Sequence, residues 1–405
     1  MLRKLPLVLS FLFLCTALRA QVMTPEDSLQ AGLTASDNKT VLSGYGEAVY
    51  SQNFTQQTAT ASLRRAVLFV GHRFSDKISL FTELEVENAL VAGDIASSGE
   101  AAMEQAFLKF DLSSNTYINA GLFIPRIGII NENHLPNTYN GNDRPVVETM
   151  IIPTTWREIG ISINGVVPAF PGLNYTLGIF NGLNAAKFNL ATGIQGGRFE
   201  GSMASARNKA VTGSLLYYTG PYRFQVSSYA GGSVGVDNRT ADRLDLKTGF
   251  FGTPVLLNEA NAQYHHSGLS LKALGVIVNI PDADKINAAF ANNTPSEMLG
   301  AYGEIGYDLL SGHSSEKQLI VFGRYEYVDM NGAIPTNGVK NPAYTQQHVF
   351  AGIDYLPIRN VVIKLDYHYM STGKYNYALI INPDPYAQPW YTSQHTVNLG
   401  VAYSF

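Results

Sequence analysis

A single cysteine occurs in the 405 residues, Cys15, and it sits inside an apolar stretch at the amino terminus. A chain that loses that stretch has neither a disulfide framework nor a thiolate metal or redox centre, so its stability rests on backbone pairing and packing. Charge is scarce too: charged residues make up 15% of the chain, and the formal net charge is −4. The lack of a basic surplus argues against a nucleic-acid partner. Beyond the amino terminus, no segment offers the roughly 18 uninterrupted apolar residues that a membrane-crossing helix requires. No repeat of fixed period and no low-complexity linker divides the chain, so one domain accounts for nearly all of it.

What is abundant is tyrosine, phenylalanine and glycine, at 23, 20 and 37 residues. Low charge with many aromatics fits strands that are wet on one face and lipid-bound on the other.

The amino terminus supplies a compartment. Arg3 and Lys4 precede the apolar run Leu5 to Leu14, and small residues follow, which is the layout of a secretory signal peptide. Residues 1–20 are assigned to it, with cleavage after Ala20 or after Ala17, where Cys15-Thr16-Ala17 better fits the small-x-small rule. Bulky Phe13 and Leu14 argue against lipid modification of Cys15. Loss of Arg3, Lys4 and Arg19 takes the formal charge from −4 to −7. Residues 21–38 are mostly polar and read as a short periplasmic segment, too short for a plug domain.

From residue 39 onward the period is two. In 360–372, Val361, Ile363, Leu365, Tyr367 and Tyr369 share one face, and Lys364, Asp366 and His368 the other. In 318–330, Leu319, Val321, Tyr325 and Tyr327 oppose Arg324 and Glu326. In the third strand Ile78, Leu80, Leu84 and Val86 oppose Glu83, Glu85 and Glu87. A lipid-facing Arg or Lys at bilayer depth costs roughly 2–4 kcal/mol, so the charged faces should point to a lumen. About 16 such strands are expected, including 258–266 and a closing one at 393–405 whose aromatic end, Tyr403 and Phe405, pairs back onto the first. Arg64 and Arg65 break the pattern by occupying opposite parities, which places one of them near the rim.

Tight turns such as Ser75-Asp76-Lys77, Ser113-Ser114-Asn115 and Ser267-Gly268 alternate with long polar connections. That rhythm predicts an all-β fold: a transmembrane antiparallel up-and-down β-barrel spanning 39–405 in the outer membrane, with short periplasmic turns and long external loops. Such a barrel faces outer-membrane lipid and lipopolysaccharide.

The longest connection, about 125–155, carries the best functional candidates, since loops of this length are usually functional or disordered. Arg126, Glu132, His134, Asp143, Arg144 and Glu148 lie in it, interrupted by Pro136, Pro145 and Pro153. Folded inward, it would narrow the lumen and place its charges where solutes pass. Lys109, Arg324 and Glu326 are candidate wall charges on inward-facing positions, Lys109 being either a basic contact for passing anions or a wall cation neutralised by Glu104 or Glu83. Catalysis is not expected: His265 and His266 face opposite sides of a strand, Ser267 falls in a turn, and no nucleophile, base and orienting group can be grouped. No cofactor or metal is expected either, because the Glu83, Glu85, Glu87 face reads as a solvated lumen surface.

Leu63-Arg64-Arg65-Ala66, then Ala106-Phe107-Leu108-Lys109-Phe110, then Ala120-Gly121-Leu122-Phe123-Ile124-Pro125-Arg126-Ile127-Gly128 resemble the porins of the phosphate-selective porin O and P family of Gram-negative outer membranes. The resemblance implies a 16-stranded barrel, usually trimeric, with an inward-folded third external loop and a lumen lined by basic residues. It implies passive diffusion of small hydrophilic solutes, including anions such as phosphate. One position departs from the pattern: the family often has a lysine just before the proline of Gly-x-Phe-x-Pro, and here Ile124 stands there. The alternatives are a barrel enzyme acting on membrane lipid and a surface adhesin or structural barrel.

Overall fold

The computed structural model describes residues 39–89, 99–313, 316–380 and 389–405. The expected signal peptide and periplasmic segment lie outside the described residues. The strands are β1 (Thr40–Asn53), β2 (Thr58–Ser75), β3 (Ile78–Glu87), β4 (Glu100–Ser113), β5 (Thr116–Phe123), β6 (Glu158–Val166), β7 (Leu173–Asn181) and β8 (Lys209–Thr219). They continue as β9 (Tyr222–Gly232), β10 (Pro254–His266), β11 (Leu269–Asn279), β12 (Glu297–Asp308), β13 (Gln318–Ala333), β14 (Thr345–Ile358), β15 (Val361–Thr372) and β16 (Ser393–Ser404). Each pairs antiparallel with its sequence neighbours, and β1 pairs with β16, so the sheet closes without an edge. Phe405 seals the seam by exchanging backbone hydrogen bonds with Gly44 at 2.9 and 3.1 Å. Among the described residues, three short α-helices sit in the loops: α1 (Val147–Met150), α2 (Asn238–Arg243) and α3 (Ala283–Phe290).

The alternation read from the sequence is the wall's inside-outside pattern. In β15, Ile363, Leu365 and Tyr367 are exposed while Lys364 and Asp366 are buried. Exposed aliphatics such as Leu177, Ile179, Val226 and Leu399 cover the outer face, with Tyr222, Tyr307, Tyr403 and Phe405 toward the short-turn end. An apolar belt rimmed by aromatics is the surface that a bilayer demands of a barrel.

Two β-bulges correct the simple alternation. Glu47 pairs with Arg65 and Ala48 with Leu63, so Arg64 is an extra residue in β2. The bulge turns both arginines inward, level with the long-loop end of β3, whose last residue Glu87 is in register with Arg65; Arg65 pairs with Glu47 at 2.9 Å and Arg64 with Asp143 at 2.9 Å. In β4 the extra residue is Glu104, so Glu104 and Gln105 are both buried against the lumen.

The strand ends that periodicity missed have an equally local cause. β10 starts at Pro254 rather than 258, and β13 runs to Ala333 rather than 330. There Val255 and Leu257 point inward and are apolar, as are Val328 and Met330 just before the missed end of β13, so the polar half of the alternation vanishes. They belong to a hydrophobic core that lies inside the barrel, between the wall and the long β5–β6 loop, and that includes Ile127, Ile151, Ile152 and Trp156. An inward row of rings extends it: Phe81 meets Phe107 at 5.4 Å, Phe107 meets Phe123 at 5.7 Å, and Phe123 meets Phe180 at 4.9 Å between centroids. Gly160 on the intervening β6 makes the last contact possible, since a Cβ there would strike the Phe180 ring and the Ile179 carbonyl. Each large side chain buried in this core contributes about 1.5–3 kcal/mol.

Candidate functional site

Residues 124–157, connecting β5 to β6, form the third loop at the long-loop end. An irregular segment inside a barrel has no sheet partner for its backbone, so the wall must supply partners. Inward charges of β2 and β12–β15 do this at the tip, Tyr139 to Asp143. Lys364 Nζ donates to the carbonyls of Tyr139 (2.8 Å) and Gly141 (2.7 Å). Arg324 donates to the carbonyls of Asn140 (3.2 Å) and Asp143 (3.0 Å), and Arg64 to that of Asn142 (2.7 Å). The carboxylates take the opposite groups: Asp354 accepts the Gly141 N–H (3.1 Å), and Asp366 accepts the Asn142 N–H (2.8 Å) and side-chain amide (2.6 Å). Glu304 and Glu326 in turn hold Arg324, at 3.2 and 2.8 Å, beneath the stacked ring of Phe350.

The two arms of the loop are braced against each other. Glu148 Oε2 accepts the N–H groups of Ile129 (2.7 Å) and Ile130 (2.8 Å), and its Oε1 accepts from Tyr302 of β12 (2.6 Å). Burial raises the Glu148 pKa above the ordinary carboxylate range, although these hydrogen bonds pull it the other way. Asn131 donates to the carbonyls of Ile127 (3.1 Å) and Pro153 (3.0 Å) and accepts from the Trp156 N–H (3.3 Å). Glu326 accepts the first helical N–H of α1, that of Val147, at 2.9 Å. His134 is buried, and desolvation pulls its pKa down to about 4, leaving the ring neutral near pH 7.

The loop leaves charged space on each side. Toward the long loops, a cavity of about 420 Å³ is lined by Arg64, Arg65, Arg144, Arg157 and Arg198, facing Glu85, Glu87, Glu100, Asp143 and Glu200. Toward the short turns lie cavities of about 220 Å³, lined in part by Arg126 and Glu132, and about 520 Å³, lined in part by Arg223, Lys272 and Arg359.

Seven of the candidates are distributed as follows. Arg324 and Glu326 are fully engaged in holding the loop and lie beneath it. Asp143 pairs with Arg64, and Arg126 pairs with Glu132 at 3.0 Å, while Glu132 also meets Arg223. Lys109 pairs with Asp111 at 3.2 Å and lies over the Tyr117 ring, not beside Glu83 or Glu104. The register explains this: Lys109 pairs with Ser79, four residues and therefore about 13 Å along the wall from Glu83. Arg144 alone among the candidate cations has no carboxylate within ion-pair distance among the described residues; it donates to the His134 carbonyl at 3.3 Å, and its Nε has no partner. Arg157 and Arg198, both paired with Glu200, were not among the candidates, since nothing in their spacing points at the lumen.

No family model matches the chain. An uncharacterized protein of Aquifex aeolicus is 29% identical over 371 residues, which are 86% of this chain and 82% of that protein. Among solved structures, the outer membrane channel DcaP of Acinetobacter baumannii is 14% identical with a TM-score of 0.53, covering 90% of this chain and 97% of its own. OmpF of Salmonella typhi, solved with daunomycin, is 12% identical with a TM-score of 0.52, covering 91% and 98%. OmpT of Vibrio cholerae, an outer-membrane protein, is 9% identical with a TM-score of 0.51, covering 91% and 99%. At such identities the likeness is one of fold. The chain is a transmembrane β-barrel with a loop held inside its lumen.

Proposed function

We propose that this chain is an outer-membrane porin that lets small hydrophilic solutes diffuse passively, without enzymatic chemistry. The observation that carries this reading is the β5–β6 loop clamped across the lumen, with charged cavities on both sides. A barrel built only as an anchor has no need to hold an irregular loop at such cost in buried charge. The fold shared with an outer membrane channel supports the same reading.

The finer reading is an anion-preferring pore like those of the phosphate-selective porin O and P family. Arg144, which borders the outer cavity with no carboxylate within ion-pair distance among the described residues, supports it, and Arg144, Arg126 and Lys109 are the residues proposed to bias the pore toward anions. We further infer a homotrimer, since OmpT of Vibrio cholerae, which shares the fold, has been solved in a trimer form. Reconstitution in planar bilayers tests the whole reading. Stepwise conductance is expected, with a reversal potential under a KCl gradient on the anion side; a barrel that inserts but conducts nothing would overturn it.

A further inference from the structure

Away from the tip clamp, the first arm of the loop meets the wall at β3 and β4. There Glu83, Glu104 and His134 each present a ligand-type atom, all within 4.8 Å of one another. The three residues are buried, at 1, 0 and 2% exposure. The bulge in β4 creates the cluster, because in an unbroken strand Glu104 and Gln105 would face opposite sides. Gln105 donates to Glu83 Oε2 at 2.9 Å, and His134 Nε2 lies 3.2 Å from Glu83 Oε1. Glu104 is differently placed. Apart from the Glu83 carboxyl beside it, Glu104 meets no hydrogen-bond donor, and Nδ1 of His134 is also without a partner. No Lys or Arg lies within ion-pair distance of Glu104 among the described residues.

Two desolvated carboxylates side by side are costly unless a positive charge is shared between them. One imidazole and two carboxylates form a mixed nitrogen and oxygen donor set, which suits zinc and its first-row neighbours better than calcium or magnesium, whose sites are all oxygen. We propose that Glu83, Glu104 and His134 bind a divalent transition-metal ion that pins the loop to the β3–β4 wall. Ligands at zinc bond lengths stand about 3.3 Å apart around a tetrahedron, so the 3.2 Å between His134 and Glu83 already has the required spacing. A small rotation of the Glu104 side chain completes three protein ligands, and water takes the fourth position. The ion is then a cross-link between loop and wall, as Lys364 and Arg324 are at the tip. Spacing along the chain does not reveal this site, since the ligands are 21 and 30 residues apart and the in-sequence neighbours Glu85 and Glu87 take no part.

The test uses the full chain in detergent, stripped with EDTA and titrated with Zn²⁺ by calorimetry and with Co²⁺ by visible absorption. One ion per chain is expected, with Glu104→Gln and His134→Asn each weakening Zn²⁺ by about tenfold or more and the Co²⁺ bands changing in both. If Glu104→Gln fails to fold, Glu83→Gln and His134→Asn carry the same comparison. No uptake would overturn the proposal. So would uptake that survives the substitutions, or a metal-free protein with a protonated-carboxyl infrared band that Glu104→Gln removes, meaning a shared proton does the work. Metal content is read without conductance, so this result stands apart from that of the channel reading.

Discussion

Lys364, in the middle of β15, donates to two carbonyls of the internal loop, those of Tyr139 and Gly141, at 2.8 and 2.7 Å. A buried ammonium thus replaces the strand partner that this loop lacks. Replacing it by methionine leaves Asp354 and Asp366 beside unsatisfied carbonyls, with an expected loss of about 3–5 kcal/mol. Lys364→Met should therefore unfold at lower urea concentration, and single channels should show larger, noisier openings as the loop tip comes free.

Arg144 is expected to dominate charge selectivity. Lys109 is paired with Asp111 and Arg126 shares Glu132 with Arg223, whereas Arg144 borders the outer cavity with no carboxylate partner among the described residues. Arg144→Gln should move the reversal potential toward cations, and Lys109→Gln should move it much less. Equal shifts would show that the local pairing does not control the field.

Glu148 gives a signed pH dependence. Its folded pKa is raised above the ordinary value of 4.5, so through the window between the two the folded chain keeps a proton that the unfolded chain releases. Its contribution to stability is therefore fully present below about pH 4.5 and is lost as pH rises through the raised value. Urea midpoints followed with pH should fall for the wild type relative to Glu148→Gln across that window. Parallel curves would assign the pH dependence to other groups.

Cys15 is the single cysteine of the sequence, so its replacement by serine makes cross-linking clean. A side chain at Gly400 on β16 would touch Asn142 at the loop tip. Asn142→Cys with Gly400→Cys should form an intrachain disulfide, seen as a reducible mobility shift of the folded barrel. A pair that stays reduced would place the loop elsewhere.

Gly160 is expected to tolerate no side chain. Gly160→Val presses on the Phe180 ring and the Ile179 carbonyl, with a cost of about 1–3 kcal/mol or more. Thermal denaturation followed by the heat-modifiable gel shift measures it.

Much of the wall was legible because lipid and water impose a period of two on every strand. Lys364 and Asp366 against Leu365 and Tyr367 could be assigned to faces from residue type alone. The bulges were not legible. Arg64 next to Arg65, and Glu104 next to Gln105, conflict with alternation, and only the register with β1 and β3 shows that an extra residue resolves the conflict. Nor were the ends of β10 and β13, where the inner face is apolar because it packs on the loop.

The sequence by itself determined the barrel: its strand number, its closure through the terminal aromatic strand and the position of its longest internal connection. These follow from local alternation and turn chemistry, which each segment carries on its own. Only the tertiary structure decided what the inward charges do. Arg324 and Glu326 hold the loop, Arg144 borders an open cavity, and Glu83, Glu104 and His134 converge. Partners for a buried charge come from strands hundreds of residues apart, and the closed sheet, not the order of the chain, sets which of them meet.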